Sequence, residues 1–521
     1  MSNTEKPLQF PNPTTEDAAQ DTTQEAMQEA MQDEQHLQQQ QQQQEQPPQT
    51  QGEFKEGGYG WVVVIAVAVL NAHSWGLNSS FAVFLAYYIN NNTFQSSDLG
   101  YAFIGGLSLS IAFIISPLAT FLAGWHKCGT RPTVFIGVLF ETIAFIGSSF
   151  AGELWHIILT QGVSFGIGLG FMFVSSAPVP AQWFHKKRSL ANGWTAAGSG
   201  FGGLVYSLAT NAMIKNIGLP WTFRTLALIC FTVNGIASFF IRDRNHAVGS
   251  VHIAFNWKLF KRPSFIMFEL WVGLSLVGYI ILVFSIVAYC QIVGLSASEA
   301  SLVGALFNLA QGLGRPAIGL SSDRVGRFNV SQLCTLWCGL LCLFVWQFGA
   351  RTLPGCIIFA LLSGSVAGVV WAAVTPICAE VIGIAMIPSG RFTFIRPLAS
   401  ATTASLILQI ALSMTWLVLV VPATFAEVIG LSLRSPGDWG YRNVQLFTAF
   451  MYIGAFIFGW VLRAWKVWEL ERTRLDKEQR ELDARDDGVV PTAELRRHNS
   501  RASTVKEVVM HLRGLWAIQR V

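Results

Sequence analysis

Gly319-Leu320-Ser321-Ser322-Asp323-Arg324-Val325-Gly326-Arg327 is a short charged hairpin between two apolar runs, and the chain holds an earlier counterpart of it. That counterpart is Gly124-Trp125-His126-Lys127-Cys128-Gly129-Thr130-Arg131. Each closes on a glycine followed within two residues by an arginine, and the two arginines lie 196 positions apart. Each also follows the second apolar run of its own half. The chain therefore reads as a duplication, and the hairpins set its register.

Outward from the hairpins the pattern is a series of apolar runs. In the first half they are Trp61–Leu85, Gly100–Ala123, Pro132–Phe150, Leu154–Ser176, Leu190–Met213 and Trp221–Ile241. In the second they are Phe265–Cys290, Ala300–Ser321, Val330–Phe348, Gly355–Ala379, a segment ending near Glu427, and Val444–Leu462. Runs near 20 residues match the ~30 Å hydrocarbon core at about 1.5 Å per residue. Composition agrees: 52% of the 521 residues are apolar and only 13% charged, against about a quarter charged in soluble proteins. The charges crowd into Met1–Glu56 and Lys466–Val521. The expected fold is an all-α membrane protein of twelve transmembrane helices in two pseudo-symmetric six-helix bundles. The expected divisions are a Gln-rich tail over 1–56, bundles over 57–241 and 265–463, a linker over 242–264, and a second tail over 464–521.

Lysine and arginine set the orientation, because short cytoplasmic loops retain them. With the N-terminus inside, the inner loops hold Lys127, Arg131, Lys186, Lys187, Arg188, Arg242, Arg244, Lys258, Lys261, Arg262, Arg324 and Arg327. The outer loops hold only Lys215, Arg351, Arg434 and Arg442, so both tails are expected in the cytoplasm. Asn91-Asn92-Thr93 is then an external glycosylation sequon close to the membrane. The first 56 residues carry no apolar stretch of signal-peptide type and read as a disordered tail. Cys334, Cys338 and Cys342 share a helix face without any His or acid, which favours small-residue packing over a metal site. No metal and no structural disulfide is expected.

Gly319-x-x-x-Asp323-Arg324-x-Gly326-Arg327 resembles the loop signature of the major facilitator superfamily. Two further stretches resemble the monocarboxylate transporter family, in its fungal branch. One is Glu56-Gly57-Gly58-Tyr59-Gly60-Trp61, the family's entry into the first helix. The other is Trp183-Phe184-His185-Lys186-Lys187-Arg188-Ser189-Leu190-Ala191-Asn192-Gly193, which leads into the fifth. The resemblance covers about Glu56 to Lys466 and implies a secondary transporter built on two six-helix bundles. It also marks two departures. Lactate–proton members have a lysine where Ser79 stands, and an aspartate where Gln311 stands, four residues before Arg315-Pro316. The fold and a transport role follow from the resemblance better than the lactate–proton mechanism does.

Several polar residues fall inside apolar runs. Arg315 lies deep in the eighth, where a charge costs about 2.5–3.5 kcal/mol on insertion scales, so it must meet a wet cavity or partners. It reads as an anion-binding or gating residue, or as a structural arginine bonded to carbonyls. Glu141 lies near mid-bilayer in the third run and reads either as a proton-coupling acid or as a hydrogen-bonded helix contact. Asn71, Ser74 and Asn78 form a stripe beside His73 on the first run, and such a stripe turns toward a cavity or a neighbouring helix. The histidine is either a titrating group or a structural one. The substrate cavity is expected at His73, Asn78, Gln311 and Arg315. In the superfamily hairpin, the resemblance implies a gating latch in which Asp323 sits near helix N-termini while Arg324 and Arg327 pair acids of the other half. The first hairpin lacks the acid, which makes the latch one-sided. Lys186, Lys187 and Arg188 read as topology signals or contacts with anionic lipid.

After Pro388-Ser389 the family pattern continues directly into the eleventh helix, whereas here Gly390–Ile410 intervenes. These 21 residues read as a retained intron, because the Gly390 codon can be split G|GT and Ile410-Ala411 can be encoded ATA-G|CN, so that removing what lies between joins G to CN as an in-frame alanine codon. The other reading is a genuine insertion forming an amphipathic cytoplasmic segment. No nucleotide loop, catalytic constellation or cofactor motif appears, so no enzyme activity, cofactor or nucleic-acid partner is expected. Uphill movement would draw on a gradient. The expected partners are a small organic solute, the bilayer and, through Glu141, protons; the sequence identifies no ancillary protein. A monocarboxylate or related acid leads, a neutral or aromatic solute such as riboflavin competes, and a nutrient sensor acting through the tails is the reading from another class. The plasma membrane is the expected site, with a vacuolar or other organelle membrane as the alternative.

Overall fold

The computed structural model describes residues 57–91, 93–94, 98–125, 128–184, 187–243, 257–382, 401–435 and 440–485. The segments 1–56, 244–256, 383–400 and 486–521 lie outside these residues, as do Asn92, Lys127 and Lys186. The tail over 1–56, most of the linker, about half of the 21-residue block and much of the C-terminal tail are therefore not described.

Ten helices among the described residues are long and apolar enough to cross a membrane. We label them α1 (Tyr59–Leu85), α2 (Phe103–Gly124), α3 (Thr130–Ser148), α4 (Leu154–Gln182), α5 and α6 (the two arms of Arg188–Phe240), α7 (Pro263–Ile292), α9 (Arg327–Gly349), α10 (Leu353–Val381), α11 (Ile410–Ser432) and α12 (Arg442–Leu475). The 53 residues of Arg188–Phe240 would reach roughly 80 Å if straight. They instead reverse at Gly218, whose φ of 77° is open to glycine, two residues before Pro220. Between α7 and α9 lies α8 (Ala297–Val325), 29 residues long, which also carries Arg315 and the acid of the hairpin. Twelve membrane-length segments result.

Exposure is inverted relative to a soluble protein. The outward faces carry Ile65, Phe150, Leu228 and Phe239, each more than 60% exposed. Polar side chains such as Asn71, Asn78 and Gln311 are buried. An apolar exterior belongs in lipid, which offers no hydrogen bonds and no hydrophobic drive between helices. Close packing then rests on small residues.

Helix α5 is the hub of that packing. A Cβ on Gly198 or Gly202 would collide with the Ala68 and Ala72 carbonyls of α1. On its other face, a Cβ on Gly193 would stand 2.5 Å from the Arg315 carbonyl of α8. So one helix joins α1 within its own half to α8 of the other half. The second junction between halves is α2 against α11. A Cβ on Gly106 would lie 2.8 Å from the Thr424 carbonyl, Ser110 and Thr424 share a hydroxyl contact of 2.5 Å, and Ser116 Oγ donates to the Ser413 carbonyl at 3.2 Å.

The entry motif has a visible purpose. Gly57 and Gly58 both take positive φ, 98° and 59°, as the chain turns into α1. Gly60 leaves room for Trp183, whose Cβ would lie 2.9 Å from an added methyl. Trp61 then meets Phe184 edge-on at 4.9 Å, and Tyr59 lies 5.7 Å from the Trp183 ring. The two family-like stretches pack on each other.

Helix starts follow ordinary capping. Ser296 caps α8 in a reciprocal box with Glu299. Thr352 caps α10, with Pro354 in the first turn. At the other end, the helix that contains α12 continues to Arg485, into the expected tail, with Lys466–Glu469 and Arg474–Glu478 ion pairs at 2.8 and 2.9 Å.

Candidate functional site

A cavity lies between the two halves and spans about 860 Å³ of atom-free space, part of it open to the outside. Helices α1, α2, α4 and α5 line it from the first half, and α7, α8, α10 and α11 from the second. Its wall combines a polar strip with rings. Asn71 and Asn78 of the predicted stripe are on it, together with Ser79 and Arg315. Asn71 Nδ2 donates to the Thr195 carbonyl of α5 at 2.9 Å, and Asn78 Oδ1 accepts from Ser108 at 3.3 Å.

Arg315 is 2% exposed. Its Nη1 donates to the Ala196 carbonyl at 2.6 Å and to Ser199 Oγ, both on α5 of the opposite half. Its Nη2 donates to Gln311 Oε1 and, at 3.2 Å, to Tyr279 Oη. Tyr279 Oη in turn donates to Gln311 Oε1 at 2.9 Å. Among the described residues Nε has no acceptor, and it packs against α10 where Gly368 has no side chain; a Cβ there would lie 2.6 Å away. Every acceptor that holds the guanidinium is neutral. Arg315 clasps a carbonyl of the other half and lies on the cavity wall, with no carboxylate partner among the described residues. Gln311, the departure from the family pattern, is one of the neutral acceptors that hold the charge.

The structure places the other candidates elsewhere. His73 lies off the cavity, with Nδ1 2.9 Å from the Val69 carbonyl and its ring edge-on to Tyr206. Ser74 bonds back to the Leu70 carbonyl within its own helix. Glu141 is fully buried away from the cavity, where Oε2 accepts from Asn234 of α6 at 2.9 Å and Oε1 has no partner among the described residues. Gln311 stands behind Arg315 rather than on the wall.

Two buried acids escaped the sequence reading. Glu269 of α7 accepts from Thr415 of α11 at 2.7 Å. Glu427 of α11 faces α2, where a Cβ on Gly105 would lie 3.1 Å from its Oε2, an atom with no hydrogen-bond partner among the described residues. Each is a single acid inside an apolar run, the signal already used for Glu141.

The hairpin residues form a junction at one end of the cavity. Asp323 accepts from the Ser189 and Leu190 backbone N–H groups at 3.2 and 2.9 Å, capping α5 of the opposite half. A carboxylate there also meets the positive end of the helix dipole. Arg327 pairs Glu380 at 2.7 Å and Asp323 at 3.4 Å, and donates to Ser189 Oγ at 3.1 Å. The expected cross-half acid is thus a correction: Arg327 pairs acids of its own half and reaches the other half through a hydroxyl. Arg324 is exposed and makes no hydrogen bond among the described residues. Arg188 donates to the Phe184 carbonyl at 3.3 Å, and Lys187 is exposed. In the first hairpin, Arg131 donates to the Ile241 carbonyl at 2.6 Å, within its own half.

The profile of the Major Facilitator Superfamily matches residues 65–401. "Probable transporter MCH2" of Saccharomyces cerevisiae is 31% identical over 419 residues, 79% of this chain and 84% of that protein. "Uncharacterized transporter ESBP6" of the same yeast is 35% identical over 329 residues, 60% of this chain and 48% of that one. "MFS-type transporter pynF" of Aspergillus niger is 28% identical over 287 residues, 54% of this chain and 65% of that one. With the two-half helical architecture and its central cavity, these matches establish the identity: the chain belongs to the Major Facilitator Superfamily and is a multi-pass membrane transporter.

Proposed function

We propose that the protein moves a small organic anion, a monocarboxylate or related organic acid, by alternating access of the cavity. One observation carries this reading: Arg315 is buried on the cavity wall with only neutral partners among the described residues. A guanidinium in that state retains its attraction for an anion, because no internal carboxylate competes for it, and its planar fork suits a carboxylate. An entering carboxylate competes for the N–H groups that now hold Ala196 and Ser199 of the other half. Binding thereby loosens a contact between the halves, which is the kind of differential interaction an alternating transporter needs.

Uptake by sealed vesicles containing the protein tests the reading. Lactate, pyruvate and succinate are compared with uncharged solutes, with and without an imposed proton gradient. Accumulation of at least one carboxylate above that in protein-free vesicles is expected. Saturable uptake of uncharged solutes alone would replace the anion by a neutral substrate. Failure to move any solute would favour the sensor.

A further inference from the structure

Beyond the charge, the cavity wall is aromatic, and its rings come from both halves. Trp75 of α1, Phe113 of α2 and Phe173 of α4 face Tyr279 of α7, Trp371 of α10 and Trp416 of α11. The contacts cross the divide. Trp75 and Trp371 lie 5.1 Å apart, Phe173 meets Trp416 edge-on at 5.1 Å, and Phe113 stacks on Trp416 at 5.7 Å with an 11° interplanar angle. Trp371 and Trp416 are themselves near parallel, 18° apart at 6.2 Å. Tyr279 links this cluster to the charge: its ring is edge-on to Trp371 at 6.0 Å, and its hydroxyl accepts from Arg315.

We propose that the preferred ligand is a flat aromatic or heteroaromatic carboxylate rather than a short aliphatic acid. This rests on the anion reading above and narrows it. A carboxylate held at Arg315 places whatever it is attached to beside Tyr279 and, next to it, Trp371. Rings of this kind favour a planar π-partner in stacked or edge-to-face geometry. The location of the ring pairs adds a second reason. Opening the cavity on either side separates Trp75 from Trp371 and Phe113 from Trp416, and each separation forfeits a ring contact. A planar ligand between them replaces those contacts in each state, whereas a two- or three-carbon acid is too small to touch both walls. The indole N–H of Trp75 is also buried without an acceptor among the described residues, so a ring oxygen or carbonyl on the ligand has a donor available.

The test is titration calorimetry on the purified full-length protein in detergent, which avoids passive leakage of weak acids through lipid. The probes are cinnamate and indole-3-carboxylate, the aliphatic acids propionate and lactate, and the uncharged cinnamamide. Cinnamate should bind roughly tenfold or more tighter than propionate, the scale of one to two aromatic contacts. Trp371→Leu should bring that ratio close to one by weakening cinnamate more than propionate, while Trp371→Phe, which keeps a ring, should retain most of it. An unfolding midpoint measured for both variants separates misfolding from lost preference. Equal affinity for cinnamate and propionate in the parent protein overturns the aromatic preference and leaves the anion reading standing. Cinnamamide binding as tightly as cinnamate, with no effect of Arg315→Ala, overturns the anion reading and this inference with it. Absence of binding by every probe also overturns the inference.

Discussion

Arg315 combines two duties that can be separated by substitution. Arg315→Ala should abolish uptake of an anionic substrate, since a lost charged hydrogen bond costs about 1.5–3 kcal/mol. Membrane insertion, measured by surface labelling, should stay near that of the parent. Arg315→Lys should rescue only partly, because a point charge cannot hold Ala196, Ser199 and a ligand in one plane. Unchanged uptake by the alanine variant would make the residue purely structural. Glu141 should behave differently: it bonds Asn234 away from the cavity, so Glu141→Gln should leave the pH dependence of transport unchanged. A shifted pH profile would restore it to proton coupling. That Arg315 would be buried against partners was legible because a charge in an apolar run is conspicuous. Its surroundings were not: Trp371 and Trp416 look in sequence like any other membrane tryptophans, and only the packing shows which face meets the cavity. Glu380, the partner of Arg327, lies 53 residues away on another helix, a separation no local pattern encodes.

Among the elements, the α1–α5 seam is the least forgiving. Gly198 sits where any Cβ meets the Ala68 backbone, and a backbone cannot move aside as a side-chain tip can. Gly198→Val should therefore lower the unfolding midpoint and the yield of folded protein, by an amount on the scale of severe packing defects, about 2–5 kcal/mol. Gly152→Val, at an open position, is the control. The eleventh span bears on the 21-residue block. Ile410–Ser432 is 23 residues, roughly 35 Å, and crosses the hydrocarbon core unaided. The helical residues before it start at Ala401, within the block, and the span does not need them. Sequencing mature transcripts across Ser389–Leu412 should show that most lack the codons for Gly390–Ile410. Messages that mostly retain them would make the block a real insertion. The spans themselves were readable from hydropathy. The join of α5 and α6 was less so: a loop was expected around Lys215, and the chain instead turns at a single glycine.

For the whole molecule, the charge bias of the loops predicts sidedness. Protease added outside intact cells should spare tags at either terminus, and external loss of one tag would require an odd number of spans. The duplicated plan was legible because the hairpins repeat and the apolar runs are long. The state of the machine was not, since it depends on contacts between halves. In this state both junctions are made: α5 lies against α8 down to the Asp323 cap, and α2 lies against α11 from Gly106 to Ser116.

Arg315 and Asp323 stand eight residues apart on α8, about 12 Å along the axis and roughly 80° around it. One helix, with Pro316 between the two residues, thus lines the cavity at one height and caps the neighbouring helix at another. Thermodynamic linkage then runs in both directions between these heights. Whatever factor a bound anion contributes toward releasing the Asp323 cap, release of the cap must contribute, by the same factor, to anion affinity. The strength of the closure at the hairpin and the sensitivity of the cavity to its cargo are one quantity read at two places.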